Sequence, residues 1–248
     1  MRDDPLQRIP DFPDDASDEN RKKRKNMRYE NVCRAVFLER PNRFIARVKL
    51  NGKTETVHVK NTGRCRKLLI PGSDVWLSRS GNPDRKTKYD LIVVRKKTGV
   101  LFNIDSQAAN RVVLEWLQQQ DWDEVRPEYA YGTSRIDFYM RKGAAKYLME
   151  VKGCTLERDG IGYFPDAPTV RGTKHIRELI RAAAEGYSAI LAFVIQMDGV
   201  YEVRPNRETD PVFADALEDA IRHGVSVLFL PCHVEPGTLA VTAKSIIE

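Results

Sequence analysis

The feature that most constrains the fold is the turn Asn51-Gly52, which separates two runs of alternating apolar and polar residues. Period-two alternation is typical of a β-strand with one buried face, and Asn-Gly between two such runs favours a two-residue hairpin turn. The apolar positions are Phe44, Ala46, Val48 and Leu50 before the turn and Val57 and Val59 after it. The sequence therefore predicts an antiparallel hairpin whose apolar face covers a core.

Strand-like runs recur at short spacing from Val32 to Val94, and further strands fit residues 75–80 and 89–95. About five short strands in so short a stretch are typical of an OB-like β-barrel. The polar face of the hairpin is basic, and the loop at residues 61–71 adds more cations, an arrangement with which such barrels hold single-stranded nucleic acid. Aromatic residues that could stack on bases are sparse in this half, and Phe37, Trp76 and Tyr89 are explained equally well as core residues. We therefore expect contacts to the sugar-phosphate backbone rather than to the bases.

The charge of the chain is divided between its two halves. Residues 29–102 carry 17 Lys/Arg against 6 Asp/Glu, a net +11, and residues 103–248 carry 16 against 22, a net −6. A basic surface attracts polyanions because neutralised phosphates release counterions. Carboxylates, in contrast, are what a hard divalent metal needs. The division indicates a nucleic-acid-binding half joined to a half with ligands for a metal.

The ends and the cysteines narrow the class of protein. Residues 1–28 begin acidic and continue into the basic run Arg21–Lys25, which predicts a disordered charged tail; a nucleic-acid-contacting arm is the alternative. The longest apolar run, Ala189–Ile195, is far shorter than the roughly 20 residues of a membrane span, and the start lacks the pattern of a secretory signal. The four cysteines are widely spread, without zinc-ligand spacing. We expect reduced thiols, a cytoplasmic protein and no membrane partner.

The acidic half follows an α/β pattern. Apolar residues at helical spacing predict helices over residues 105–119, 176–187 and 210–223. Strand patterns cover residues 129–140 and 147–152, and the apolar runs 189–195 and 225–230 are typical of strands covered on both faces. The predicted order is helix, three strands, helix, strand, helix, strand.

One charged constellation lies on the predicted strand pair. Alternation places Glu150 and Lys152 on one strand face, and places Asp137 on the face opposite Ile136, Phe138 and Met140. If the strands form a hairpin, Asp137 joins the other two. Carboxylates that meet repel each other unless a cation lies between them, and Mg²⁺ is commonly held by one or two carboxylates plus water and phosphate. The alternative is a surface hairpin that carries a salt bridge.

Several motifs together resemble the sugar fermentation stimulation protein family. They are Pro41-Asn42-Arg43-Phe44-Ile45-Ala46-Arg47-Val48, Asn61-Thr62-Gly63-Arg64, Ser134-Arg135-Ile136-Asp137-Phe138, Glu150-Val151-Lys152, Phe164-Pro165-Asp166-Ala167, and Arg171-Gly172 with Lys174-His175. The resemblance implies an α+β/α/β protein of two domains, an N-terminal OB-like small β-barrel that binds DNA and a PD-(D/E)XK-type αβββαβ nuclease fold. The implied boundaries are 1–28 for the tail, 29–102 for the barrel, 103–232 for the nuclease-like domain and 233–248 for a C-terminal extension.

The same resemblance implies roles for individual residues. Asp137 and Glu150 match the metal carboxylates, with Mg²⁺ or Mn²⁺ as the metal, and Lys152 matches the catalytic lysine. Glu115 on the first helix matches a further catalytic acid, with a solvated helix face as the alternative. For His175 we favour a structural role, and Asp166 beside the site reads as structural. The residues expected to contact DNA are Arg43, Arg47, Lys49, Lys60, Arg64, Arg66, Lys67, Arg171 and Lys174.

The sequence departs from the family pattern at two places and leaves three functional hypotheses open. Ile136 stands where the superfamily name has proline, and Gly153-Cys154 follows the lysine where the family more often has serine. The first hypothesis is a divalent-metal-dependent nuclease acting on single- or double-stranded DNA. The second is a DNA-binding regulator of sugar metabolism genes that keeps the fold as a scaffold, and the third is an RNA-processing enzyme. The sequence leaves the oligomeric state open, a homo-oligomer included.

Overall fold

A computed structural model describes residues 27–61, 63–242 and 244–247. The first unit is a barrel built from β2 (Val32–Glu39), β3 (Ile45–Leu50), β4 (Lys53–Val59), β5 (Asp74–Arg79) and β6 (Tyr89–Arg95), followed by β7 (Leu101–Asn103). The strand order is β4-β3-β2-β5-β6-β7, and a parallel pairing of β4 with β6 closes the five strands β2–β6. The predicted OB-like barrel is therefore confirmed.

The predicted hairpin is present, with one correction to its apolar face. Asn51 and Gly52 have φ values of 49° and 80°, which suits a turn that needs two left-handed residues. Ala46, Val48, Val57 and Val59 are fully buried. Phe44, however, is 52% exposed, because the ladder begins one residue later, at the Ile45–His58 pair. The prediction of a core position for Phe44 was wrong.

The second unit is an α/β domain. Its helices are α1 (Ser106–Leu117), α2 (Val170–Ala184) and α3 (Pro211–Arg222). Its remaining elements are β8 (Glu124–Tyr131), β9 (Ser134–Lys142), β10 (Ala145–Cys154), β11 (Leu156–Arg158), β12 (Ile161–Phe164), β13 (Ser188–Ile195), β14 (Val203–Pro205), β15 (Ser226–Glu235), β16 (Thr238–Val241) and β17 (Ser245–Ile247). The predicted order of helix, three strands, helix, strand, helix, strand is found, with β11, β12 and β14 forming an added small sheet.

Both ends of the described chain belong to the main sheet. Its order is β1-β16-β15-β13-β10-β9-β8, where β1 is Met27–Arg28 and β17 also pairs with β15. Met27 is 1% exposed and pairs with Leu239, so the predicted tail was wrong for its last two residues because they complete a sheet edge. Residues 1–26 of that tail lie outside the described residues. The segment predicted as a C-terminal extension supplies β16 and β17 rather than projecting from the domain.

Packing fixes the helices and joins the two units. Asp105, Thr169 and Asp210 cap the three helices, each with a side-chain oxygen that accepts a backbone N–H of the first turn. One apolar cluster contains barrel residues such as Val57 together with residues of β13 such as Phe193, so the two units share a core.

Within the described residues, no helix is long and apolar enough to cross a membrane.

Candidate functional site

The candidate site begins where β9 and β10 separate. Their antiparallel ladder ends at the Phe138–Met149 pair. Directly beyond it, Oδ2 of Asp137 accepts the backbone N–H of Val151 at 2.7 Å, so a side chain takes the place of a ladder carbonyl. Oδ1 of Asp137 accepts a second hydrogen bond from Nδ2 of Asn110 on α1, also at 2.7 Å.

The side chains of β9 are distributed over its two faces differently from the prediction. Ile136 packs in the cluster that contains Tyr139 and Leu148, whereas Phe138 and Met140 pack in the cluster beneath α1. The prediction that Ile136 shares a face with Phe138 and Met140 was therefore wrong. Simple alternation therefore fails between Ile136 and Phe138, on either side of the residue whose carboxylate accepts the Val151 N–H.

Glu150 is the buried centre of the site. It is 1% exposed, and its Oε1 accepts a hydrogen bond from Nζ of Lys152 at 2.5 Å. The same oxygen contacts Nδ1 of His175 at the start of α2. Nε2 of His175 accepts from Nε of Arg171 at 3.3 Å, so we assign the ring proton to Nδ1, which donates to Glu150.

The second oxygen of this carboxylate, Oε2, is also buried. Within the described part of the chain it has no hydrogen-bond partner. A buried, unpaired carboxylate oxygen is costly in a folded protein. Such an atom is explained when a ligand, an ion or water completes its coordination.

The two carboxyl groups are shifted in opposite directions. Burial, reinforced by the negative charge of Glu150, raises the pKa of Asp137. Burial also acts to raise the pKa of Glu150, but the hydrogen bond from His175 and the charge of Lys152 outweigh it and lower that pKa. Opposite shifts in neighbouring carboxyl groups are characteristic of functional sites.

The donor set fits a hard divalent cation. Each oxygen of Asp137 already accepts one hydrogen bond and keeps a second lone pair, and Oε2 of Glu150 has no hydrogen-bond partner among the described residues. Within the described residues, no group of three or more His, Cys, Asp or Glu side chains could hold a metal ion. The protein would thus supply two carboxylates, which is enough for Mg²⁺ when water and substrate phosphate supply the rest.

The structure does not bring the predicted Glu115 to this site. Its carboxylate accepts the backbone N–H of Met27 and lies near Arg111. Glu115 is five positions along α1 from Asn110, about 140° around the helix axis. Asn110 is therefore the α1 residue at the site, and the catalytic role that the resemblance assigned to Glu115 is not supported.

A cavity of about 750 Å³, here called the interunit cavity, lies between the barrel and the α/β domain. Lys152 lines it, whereas Asp137 and Glu150 are not among its lining residues. Four of the nine residues predicted to contact DNA are on its wall, and Arg40 joins them. Those four are Arg43, Arg64, Arg66 and Arg171.

The other five predicted DNA contacts lie elsewhere. Arg47 pairs with Glu39 at 2.5 Å, Lys60 pairs with Asp90 at 2.9 Å, and Lys174 lies 3.7 Å from Glu178. Lys49 is exposed on β3, and Lys67 lines a second, smaller cavity of about 180 Å³. The basic strand face and the basic loop are therefore separate features, and only the loop reaches the interunit cavity.

The loop that carries two of these arginines is held from both units. The guanidinium of Arg40 donates to the carbonyls of Gly63 and Arg64, at 2.9 Å each. Oδ2 of Asp166, in the loop after β12, accepts the N–H of Cys65 at 2.7 Å. A Cβ at Gly63 would lie 2.8 Å from Oδ1 of Asn61, so this close approach requires glycine. Asp166 has the structural role that its position suggested.

Comparisons with known proteins cover most of the chain. Family profiles described as "SfsA N-terminal OB domain" and "Sugar fermentation stimulation protein RE domain" match residues 38–104 and 107–238. A sugar fermentation stimulation protein homolog of Desulfitobacterium hafniense is 50% identical over 211 residues, covering 84% of this chain and 92% of that protein. The homolog of Ruminiclostridium cellulolyticum is 48% identical over 219 residues, covering 87% and 96%.

A solved structure agrees with the fold as well. It is SfsA of Pyrococcus furiosus in complex with Ca²⁺. It is 27% identical in sequence, with a TM-score of 0.79, over 88% of this chain and 96% of that one.

Proposed function

The chain belongs to the sugar fermentation stimulation protein family, and we propose that it binds DNA in the interunit cavity and hydrolyses phosphodiester bonds there with a divalent cation. One observation carries the proposal. Lys152 lines an arginine-walled cavity and at the same time donates to Glu150, the buried carboxylate next to Asp137. A polyanion-binding surface and a pair of metal-binding carboxylates therefore meet at one residue.

DNA binding is proposed from the charge on the cavity wall. Arg43, Arg64 and Arg171 line it, and among the described residues none of the three forms an ion pair with an acidic side chain. Guanidinium groups bind phosphates with paired hydrogen bonds, so they favour a phosphodiester backbone. The bracing contacts hold the backbone at Arg64 before a substrate arrives, which lowers the entropy lost on binding.

A divalent cation is proposed from the two carboxylates and the unpaired Oε2 of Glu150. That the Pyrococcus furiosus relative was solved with Ca²⁺ supports such a site in this chain. Bound by Asp137 and Glu150, Mg²⁺ or Mn²⁺ would polarise the phosphodiester and lower the pKa of a bound water.

The remaining residues act around the phosphate. The ammonium group of Lys152 stabilises negative charge that develops on the phosphoryl oxygens. His175 donates to Glu150 and keeps that carboxylate ionised, while Arg171 holds the ring in the tautomer that can donate. Asn110 and the Val151 amide orient Asp137.

The test is cleavage of end-labelled DNA, single- and double-stranded, with Mg²⁺ or Mn²⁺. Asp137→Asn should lower the rate by at least about 100-fold, because removal of a direct metal ligand should cost no less than removal of an outer-shell partner, which costs up to about 100-fold. Asp215→Asn, at an exposed aspartate on α3, is the matched control and should cut like the unchanged protein. Cutting that is indifferent to Asp137 would refute the proposed roles.

A second candidate function is a DNA-binding regulator that does not cut. Two observations favour it: Lys152 and His175 already donate hydrogen bonds to Glu150, and the described residues offer no third acid at the site. Calorimetric titration with Mn²⁺ separates the candidates. Heat of binding that disappears in Asp137→Asn supports the nuclease, whereas DNA binding without any metal binding supports the regulator.

A further inference from the structure

We propose that the interunit cavity receives an unpaired nucleobase, which stacks on the ring of Tyr163 on β12. The inference rests on the proposed DNA binding and adds the class of substrate: single-stranded DNA, or a base extruded from a duplex. The aromatic residues of the barrel gave no reason to expect base contacts. The aromatic residues at the cavity come instead from the α/β domain.

Of the described residues, two aromatic ones line the cavity, Tyr163 and Phe164, and the ring of Phe164 is not available for stacking. The ring of Phe164 packs in the core, with its centroid 5.6 Å from that of Phe193 and 5.1 Å from that of Phe213. Successive side chains of a strand point to opposite faces. Tyr163, the preceding residue of β12, therefore points away from that core. It is half-buried, and it belongs to none of the apolar clusters of the described residues.

The ring of Tyr163 is held from behind. The guanidinium carbon of Arg158 lies 5.0 Å from the ring centroid, and Arg158 is in turn paired with Glu208 at 3.1 Å. Arg158 is not among the residues that line the cavity, whereas Tyr163 is. The ring is thus supported on one side by a cation, and Tyr163 itself is one of the residues that line the cavity.

The surroundings match the way proteins hold unpaired strands. A base stacks on an aromatic ring while cations along the groove bind the phosphates on either side. Here Arg43, Arg64 and Arg171 share the cavity with Tyr163. Lys152 lines it too, so a nucleotide stacked on Tyr163 would occupy the compartment that opens onto the proposed reactive site. A base inside a duplex presents no free face and must first be extruded.

The test measures binding by fluorescence anisotropy in EDTA, where no cleavage occurs. The probes are labelled oligothymidine, an abasic strand of equal length and a fully paired duplex. The main variant is Tyr163→Leu, which keeps apolar bulk against Arg158 but removes the π-face. Tyr163→Phe is the conservative variant, and Tyr201→Ala, at a tyrosine that is 65% exposed and outside the cavity, is the matched control.

Tyr163→Leu should weaken oligothymidine binding by about 10-fold, while Tyr163→Phe and Tyr201→Ala bind as the unchanged protein does. The unchanged protein should bind the abasic strand about 10-fold more weakly than oligothymidine, and Tyr163→Leu should bind both strands equally. A loss confined to single strands assigns the base to single-stranded DNA. An equal loss on the duplex assigns it to an extruded base.

Two results would overturn the inference in different ways. If Tyr163→Leu, with an unchanged melting temperature, binds oligothymidine as tightly as the unchanged protein, the ring is not a stacking surface although DNA binding stands. If the unchanged protein binds none of the three probes, the proposed function itself is wrong.

Discussion

The number of cations on the wall of the interunit cavity predicts how DNA binding depends on salt. Of the described residues, six cations line the cavity. Arg40 is bound to backbone carbonyls and Lys152 to Glu150, which leaves four arginines to contact phosphate, namely Arg43, Arg64, Arg66 and Arg171. Each phosphate neutralised on a single strand contributes about −0.7 to the slope of log K against log salt. If each arginine binds one phosphate, the slope is about −2.8, and affinity falls about 50-fold between roughly 50 mM and 200 mM salt.

Removal of one of these arginines should therefore change the slope as well as the affinity. Arg64→Gln is expected to bring the slope to about −2.1, so that the same rise in salt costs only about 20-fold in affinity. The matched control is Arg47→Gln. Arg47 was expected to contact DNA from the strand face, but it is paired with Glu39 at 2.5 Å and does not line the cavity. The control should leave the slope unchanged.

The assay is fluorescence anisotropy of labelled oligothymidine in EDTA at a series of salt concentrations. A slope that is equal in Arg64→Gln and the unchanged protein would refute the assignment of phosphate contacts to the cavity. A slope that changes in Arg47→Gln instead would place DNA on the strand face of the barrel.

Three further predictions concern the site and the stability of the fold. Lys152→Met should abolish cleavage but tighten Mn²⁺ binding measured by calorimetry, because it removes the cation that competes for Glu150; weaker Mn²⁺ binding would contradict this. Asp166→Ala removes the acceptor of a barrel-loop N–H and should lower the free energy of unfolding in urea by about 1.5–3 kcal/mol, with Asp166→Asn losing less. The hydrogen bond to Asp198 raises the pKa of His233, so this pair stabilises the fold fully below the ordinary histidine pKa. That contribution is under about 1 kcal/mol at this exposed position, and it is lost as pH rises through the raised pKa. The check is the melting temperature measured across this pH range in the unchanged protein and in Asp198→Asn. If the unchanged protein loses no stability relative to the variant as pH rises, the prediction is refuted.

Local periodicity was enough to predict most of the architecture. The hairpin around Asn51-Gly52 and the fully buried strand at residues 189–195 were recognisable because alternation, turn residues and apolar runs are properties of neighbouring residues. The same alternation placed Glu150 beside Lys152, and the structure joins them with a hydrogen bond. These features depend on few long-range contacts.

The site residues that the sequence missed depend on distant contacts. The orientation of α1 about its axis decides that Asn110 and not Glu115 contacts Asp137. Glu115 instead accepts the backbone N–H of Met27, which is far from it in the sequence. His175 has no local pattern that separates a structural histidine from one that binds Glu150. Helical periodicity fixes which residues share a face, but tertiary packing decides what that face meets.

The bracing of the barrel loop was hidden for the same reason. Asp166 and the Cys65 amide that it binds are 101 residues apart in sequence. Arg40 looked like one of many basic residues, yet its guanidinium holds the carbonyls on which the loop depends. Neither role has a signature in sequence spacing.

The central claim is that Asp137 and Glu150 hold one divalent cation next to the cavity that binds DNA. The most direct measurement is an anomalous difference map from a crystal of the full chain grown with Mn²⁺. The account predicts a peak bound by both carboxylates, which disappears in Asp137→Asn. A map from saturating Mn²⁺ with no peak between these two residues, or with its peak elsewhere, would contradict it.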